Sequence, residues 1–252
     1  MKRFVQGGIS IFLFLVAWEI LARVQFIHVS LFPPPTRVAL AFMEMAQSGE
    51  LLRDVQASLW RAVVGFCIGS SVGICVGLIS GRVATVSNYL GPLIQLFRPL
   101  PPVAIIPLVI VWFGIGEPSK IFSISFAVFF PVWINTHLGV QQIPKTFIWG
   151  ARTLRVKATA LLWKVIFPAS LPFITAGLRT GIALAFVMVF VSELTGASAG
   201  IGYQISVSHL AYRVDRMIAA LILLGFFGAV ADILLTRTLW LIFPWLRVPP
   251  QR

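Results

Sequence analysis

Six stretches of about twenty mainly apolar residues recur along this chain, and no other feature limits its folding so strongly. They lie at roughly 8–27, 59–79, 89–113, 121–138, 171–191 and 217–235. A helix of about 20 apolar residues crosses the hydrocarbon core of a bilayer. There the backbone must satisfy its own hydrogen bonds, which a helix does within one segment. The expected fold class is all-α: a polytopic membrane helix bundle of about six transmembrane helices. Composition agrees, with 58 % hydrophobic and 11 % charged residues where a soluble domain has about 45–50 % and 25 %. That excludes an ordinary soluble enzyme, a disordered chain and a disulfide-stapled secreted domain.

The net charge of +12 would suggest nucleic acid on a soluble protein. Here the bases lie mostly between apolar runs, with no basic stripe of interleaved aromatics, so no nucleic-acid partner is expected. With the N-terminus inside, the inner segments carry Lys2, Arg3, Arg82, Lys145, Arg152, Arg155, Lys157, Lys164, Arg237, Arg247 and Arg252, and no acid. The outer segments carry Arg37, Arg53, Lys120, Arg213 and Arg216, balanced by Glu44, Glu50, Asp54, Glu117 and Asp215. The excess of bases on one side places both termini in the cytoplasm. Trp240 and Trp245 suit an interfacial belt. The first run, longer than a signal core and closed by no small-residue cleavage site, reads as an uncleaved span.

Cys67 and Cys75 sit eight residues apart on one helix, about 12 Å, too far to bridge. They read as small packing residues. His28, His137 and His209 are scattered, and no Cys/His pair has zinc spacing, so no metal site is expected.

Gly65, Gly69, Gly73, Gly77 and Gly81 recur every four residues in the second span. This spacing makes a groove without side chains, along which another backbone can approach. The third span holds Pro92, Pro99, Pro101, Pro102 and Pro107. Each removes a donor and clashes with the preceding turn. That span is expected to be kinked and buried within the bundle, with Arg98 facing a cavity or a carbonyl. After Phe32-Pro33-Pro34-Pro35-Thr36, the amphipathic stretch 38–52 reads as a helix on the outer bilayer surface, with Thr36 as its cap.

The longest inner segment, 139–170, predicts two short amphipathic helices. Pro144 can start the first, whose apolar face is Phe147, Ile148, Ala151 and Leu154. Leu161, Leu162, Val165 and Ile166 make the second stripe, which Pro168 ends. Their spacing is compatible with helices resting on anionic lipid and equally with a docking element for a cytoplasmic partner.

In this segment the chain resembles the permease subunits of bacterial ABC importers of type I, the binding-protein-dependent, MetI-like class. That family carries E-A-A-x-x-x-G followed by I-x-L-P. Here the matching residues are Trp149-Gly150-Ala151-Arg152-Thr153-Leu154-Arg155, then Val165-Ile166-Phe167-Pro168. Trp149 replaces the leading Glu and Arg155 the Gly. The stretches Leu31-Phe32-Pro33-Pro34-Pro35-Thr36-Arg37-Val38, Ala57-Ser58-Leu59-Trp60-Arg61, Arg98-Pro99-Leu100-Pro101-Pro102, Trp112-Phe113-Gly114-Ile115-Gly116, Gly177-Leu178-Arg179 and Glu193-Leu194-Thr195-Gly196-Ala197-Ser198 are similar to the nitrate, sulfonate, taurine and bicarbonate branch.

The resemblance implies a translocation path made by two permease chains, probed by a periplasmic solute-binding protein and driven by two cytoplasmic ATPases. It divides the chain into an N-terminal helix with an outer segment (1–50), a permease domain (51–243) and a tail (244–252). Gly150, Ala151, Arg152, Leu154 and Arg155 would couple to the ATPase, with Pro168 fixing the exit. The chain has no phosphate-binding G-x-x-x-x-G-K-[ST] loop and no nucleophile–base pair. It is therefore expected to be non-catalytic and without a cofactor of its own, ATP and Mg²⁺ belonging to the partner. Arg98, Arg179 and Glu193 are the candidates for the path: the two arginines suit an anion, or satisfy carbonyls and an inter-helix carboxylate. Glu193 opens a Gly/Ser-rich segment that suits a gate as well as a plain loop. Glu19 and Arg23 should pair, and Asp232 with Arg237 more weakly. A secondary carrier or channel, needing no ATPase, is the competing class; such carriers tend to show internal repeats and intramembrane ion ligands, neither of which is evident.

Overall fold

The computed structural model describes residues 2–24 and 31–246, with only the backbone at 2–5 and Arg152. His28, Arg247 and Arg252, and the side chains of Lys2, Arg3 and Arg152, lie outside the described residues. Among the described residues, all regular structure is helical: α1 Lys2–Arg23, α2 Pro35–Gln47, α3 Glu50–Arg82, α4 Ala84–Phe97, α5 Ile106–Phe113, α6 Glu117–Gln141, α7 Lys145–Thr153, α8 Ala158–Leu161, α9 Phe167–Leu194, α10 Ile201–Leu210 and α11 Val214–Ile242. Short 3₁₀ turns precede α5 and follow α11, and a π-turn, Leu162–Ile166, joins α8 to α9.

Among the described residues, five stretches are long and apolar enough to cross a bilayer: Gln6–Arg23, Glu50–Arg82, Glu117–Gln141, Ala158–Leu194 and Val214–Ile242. The pair α4 with Pro102–Phe113, bent by 86°, makes a sixth if it counts as one span. The helices outrun the apolar runs. At 1.5 Å per residue α3 reaches about 50 Å, well past the roughly 30 Å of hydrocarbon. Its polar start, Glu50, Arg53 and Asp54, is helical without being apolar.

The chain divides into two compact units, Met1–Leu59 with Glu193–Phe226, and Trp60–Ser192 with Phe227–Arg252. In the first, Val38, Ala41 and Met45 of α2 are buried. Two expectations for this region are corrected. Thr36 is not the cap: Pro34 holds that position, and Thr36 donates its N–H (3.2 Å) and hydroxyl (3.0 Å) to Glu19. Nor is 38–52 one helix. It breaks after Gln47, where Gly49 takes a left-handed φ of 77° that favours glycine, and α3 starts at Glu50.

In the second unit the glycine groove of α3 lies against α6. A Cβ built at Gly65 would stand 2.5 Å from Ile124, at Gly73 3.0 Å from the Phe129 carbonyl, at Gly77 2.5 Å from Thr136 and at Gly81 2.7 Å from Val140. Gly69 meets the Ser125 carbonyl and Val128 in the same way. Both helices advance four residues per step in the same chain direction. They are therefore parallel, with a four-residue ridge of α6 in a four-residue groove of α3. Gly139 and Gly177 repeat the device between α6 and α9, against Phe173 and Asn135.

The third span departs from expectation. It is broken, but it is not buried within this chain: α4 has no buried residue and α5 only Ile106 and Val109. Pro99, Pro101 and Pro102 end α4 and open the 86° corner. Pro107 sits in the first turn of α5, where no backbone donor is needed.

Candidate coupling element and polar centres

α7 is fixed by its inward face. Ala151 is buried with Leu78 of α3, Val140 of α6, Ile143, Leu161 and Ile166, and Ile148, Val156, Leu162 and Val165 pack on this cluster. The expected stripe of Phe147, Ile148, Ala151 and Leu154 is therefore split. Ile148 and Ala151 face inward, while Phe147, Trp149 and Leu154 (80 % exposed) stand outside with Lys145, Arg155 and Lys157. Gly150 faces open space.

The end of α7 follows from its backbone. Arg155 takes φ 54°, in the left-handed region, and the Val156 N–H donates to the Ala151 carbonyl at 3.0 Å. This six-to-one bond closes a Schellman motif, with Val156 packed beside Ala151 as that motif favours. The tight turn is thus made with arginine where the family motif has glycine.

The second correction concerns Pro168. It does not end a helix; it is the second residue of α9, which runs on to Leu194. An uninterrupted α-helix would drive its ring against the carbonyl four residues back. The π-turn before it avoids this: the Phe167 N–H reaches back to the Leu162 carbonyl, and the helix continues past the proline.

Glu193 lies at the end of α9 and is 1 % exposed. Its carboxylate accepts the Ser58 hydroxyl at 2.8 Å and the Gly202 N–H at 2.8 Å. Asp54, also buried, accepts the Gly200 N–H at 2.8 Å and the Gln204 amide at 2.7 Å, and the Ile201 N–H goes to Ser58. The first turn of α10 thus has its orphan N–H groups met by two carboxylates and a hydroxyl, with negative charge at the positive end of the helix. Gly200 has φ 136° and lies so close to Glu193 that a Cβ would strike the carboxylate. The Gly/Ser-rich segment after Glu193 is therefore the entry to a buried, stapled helix, not a plain loop. Sequence reading placed Asp54 among the outer acids and Ser58 in a family-like stretch but gave neither a role here; their i,i+4 spacing just before an apolar run was the available signal.

Arg179 is half exposed and holds Asp232 of α11 through two hydrogen bonds of 2.8 Å. Asp232 thus pairs across helices, not with Arg237. Glu19 pairs with Arg23 at 2.6 Å. Arg61, buried in α3, holds Glu117 at the start of α6 at 2.5 and 2.7 Å; this pair also escaped the sequence reading, because its members lie 56 residues apart. Arg98 is exposed and lines a cavity of about 620 Å³ with Ser80, Gln95 and His137.

The model of the family described as binding-protein-dependent transport system inner membrane component matches residues 73–238. A putative aliphatic sulfonates transport permease protein, SsuC of Bacillus subtilis (strain 168), is 34 % identical over 215 residues, covering 85 % of this chain and 78 % of that protein. The taurine transport system permease protein TauC of Escherichia coli (strain K12) is 31 % identical over 236 residues, covering 92 % and 86 %. Among solved structures, a chain of the MetNI methionine ABC transporter in its native crystal form superimposes with TM-score 0.64 at 19 % identity, over 81 % of this chain and 99 % of that one. This chain is a multi-pass membrane protein and belongs to the binding-protein-dependent transport system inner membrane components, the non-catalytic permease subunits of ABC importers.

Proposed function

We propose that two copies of this chain form the solute path of an importer for a small oxyanion such as a sulfonate, taurine, nitrate or bicarbonate. A periplasmic binding protein delivers the solute, and two separate cytoplasmic ATPases, which hold the ATP and Mg²⁺, drive the cycle. Both termini and α7 face the cytoplasm. Names of relatives support the substrate class: SsuC is named for aliphatic sulfonates and TauC for taurine.

The observation that carries the coupling role is the two-sided packing of α7. Its inward residues share one core with the ends of α3, α6 and α9, while Phe147, Trp149 and Leu154 stand free. A push on the free face moves these helices as bodies, since packed cores switch between arrangements and do not deform continuously. Gly150, exposed and without a side chain, lets a groove approach the α7 backbone; Leu154 and Arg155 edge the contact, and Pro168 sets the direction of α9.

The test is uptake of labelled taurine or methanesulfonate into vesicles holding the permease, its ATPase and its binding protein. Uptake should require ATP and all three components. Accumulation by the permease alone would overturn the proposal in favour of a carrier or channel.

A further inference from the structure

The cavity beside Arg98 has the chemistry of an anion site. It lies between α4 and the ends of α3 and α6, and its lining includes Ser80, Asn88, Gln95, Arg98, His137 and Gln141 but no Asp or Glu. Among the described residues no carboxylate lies within ion-pair reach of Arg98. Its guanidinium carries five donors and a permanent charge.

Ser80 orders the opposite wall. Its hydroxyl, in a buried residue, accepts the Trp133 indole N–H at 3.1 Å and lies 2.9 Å from His137 Nδ1, against 3.4 Å from the Gly77 carbonyl. In the tautomer in which the hydroxyl donates to Nδ1, the shorter route, His137 carries its hydrogen on Nε2. The cavity thus combines one fixed positive charge, side-chain amides and an imidazole N–H, with no negative group to repel an anion. At about 620 Å³, against about 30 Å³ for a water, it takes a small anion with several of its waters.

We propose that this cavity binds a small oxyanion from solution, of the sulfonate or nitrate class, with Arg98 as its charge partner. The site lies on the same helix ends that α7 packs against: Ser80 is two residues from Leu78, and Gln141 follows Val140. It deepens the importer reading, on which only the identity of the anion as cargo rests; the binding itself does not.

The experiment is saturation-transfer NMR of methanesulfonate methyl protons on the full-length permease in phosphatidylcholine nanodiscs. The wild type should give a signal that nitrate competes away, while tetramethylammonium gives none. Arg98→Gln should weaken binding about tenfold or more, the scale of losing a charged hydrogen-bond partner. Arg98→Lys should restore part of it and, like the wild type, keeps a cation at the C-terminal end of α4, so a merely structural role would show as equal loss of thermal stability in Arg98→Gln and a signal unchanged per folded molecule. No wild-type signal, or an equal one in Arg98→Gln, overturns the proposal. So does a signal abolished by adding phosphatidylglycerol, which would assign the cavity to a lipid headgroup. A site that binds methanesulfonate in a complex unable to take it up leaves the cavity proposal standing and removes methanesulfonate as the cargo instead.

Discussion

Arg155 occupies a backbone conformation that costs a side chain about 1–2 kcal/mol, because its Cβ crowds the following carbonyl. The turn persists because Val156 both closes the six-to-one hydrogen bond and packs beside Ala151. The sequence carries the family motif with its glycine replaced, and from the letters alone the tight turn is unsupported. Geometry restores it: neighbouring packing, not the residue's own preference, sets φ. Arg155→Gly removes the crowding but frees the unfolded chain, so part of the gain is returned. The expected net effect is a stabilisation of up to about 1 kcal/mol, read as a higher midpoint of denaturation of the purified permease. A lower midpoint would mean that the arginine side chain itself holds the turn.

Elements were legible where period and length coincide. Five of the six apolar runs mark a long helix, the proline-rich third being broken, and the four-residue glycine spacing marks the seam between α3 and α6, because both depend on local pattern. What escaped depends on distant partners. The apolar stripe of α7 contains Phe147 and Leu154 at the right spacing, yet the core available at the ends of α3 and α6 covers only Ile148 and Ala151. The continuation of α9 through Pro168 hinges on a π-turn that no composition signals. The staple on α10 brings Asp54, 146 residues from Gly200, together with Glu193 through backbone N–H groups. The split of α7 gives a contrast to measure. Trp149→Ala touches no core and should leave thermal stability unchanged while weakening ATPase co-purification about tenfold or more, as loss of a central aromatic anchor does. Ile148→Ala, half-buried, should instead cost about 1–2 kcal/mol of stability, below the range for fully buried positions. Equal effects of the two on stability would contradict the two-sided arrangement.

At the scale of the whole molecule, the proposed topology of six crossings, with the bent pair counted as one, would return the chain to the side from which it began. The charge balance then assigns each side its chemistry. Bases without acids accompany α7, whereas α2 and the start of α11 carry paired ions: Arg213 holds Glu44 at 3.1 Å and Asp215 at 2.8 Å, and Arg216 holds Glu44 at 3.2 Å. Hydrogen bonds from Arg213 first, then Arg216, hold the Glu44 carboxyl below its usual 4.5, and Glu44 in turn keeps Arg213 more firmly protonated. A carboxylate with a lowered pKa lends stability above its unfolded value and loses it as pH falls through the folded one. The tie between α2 and the start of α11 should therefore be intact at neutral pH and loosen below about pH 4.5. The pair is exposed, so the loss is local. In sealed vesicles of one orientation, acidifying only the face that bears α2 should speed amide exchange in 35–47 and 211–216. Acidifying only the face that bears α7 should not. Glu44→Gln should remove the response of 35–47, since its amide has no proton to gain in this range, while Asp215 still titrates against Arg213 within 211–216. A response that follows acid on the α7 face would put α2 and α7 on one side of the membrane and overturn the proposed topology.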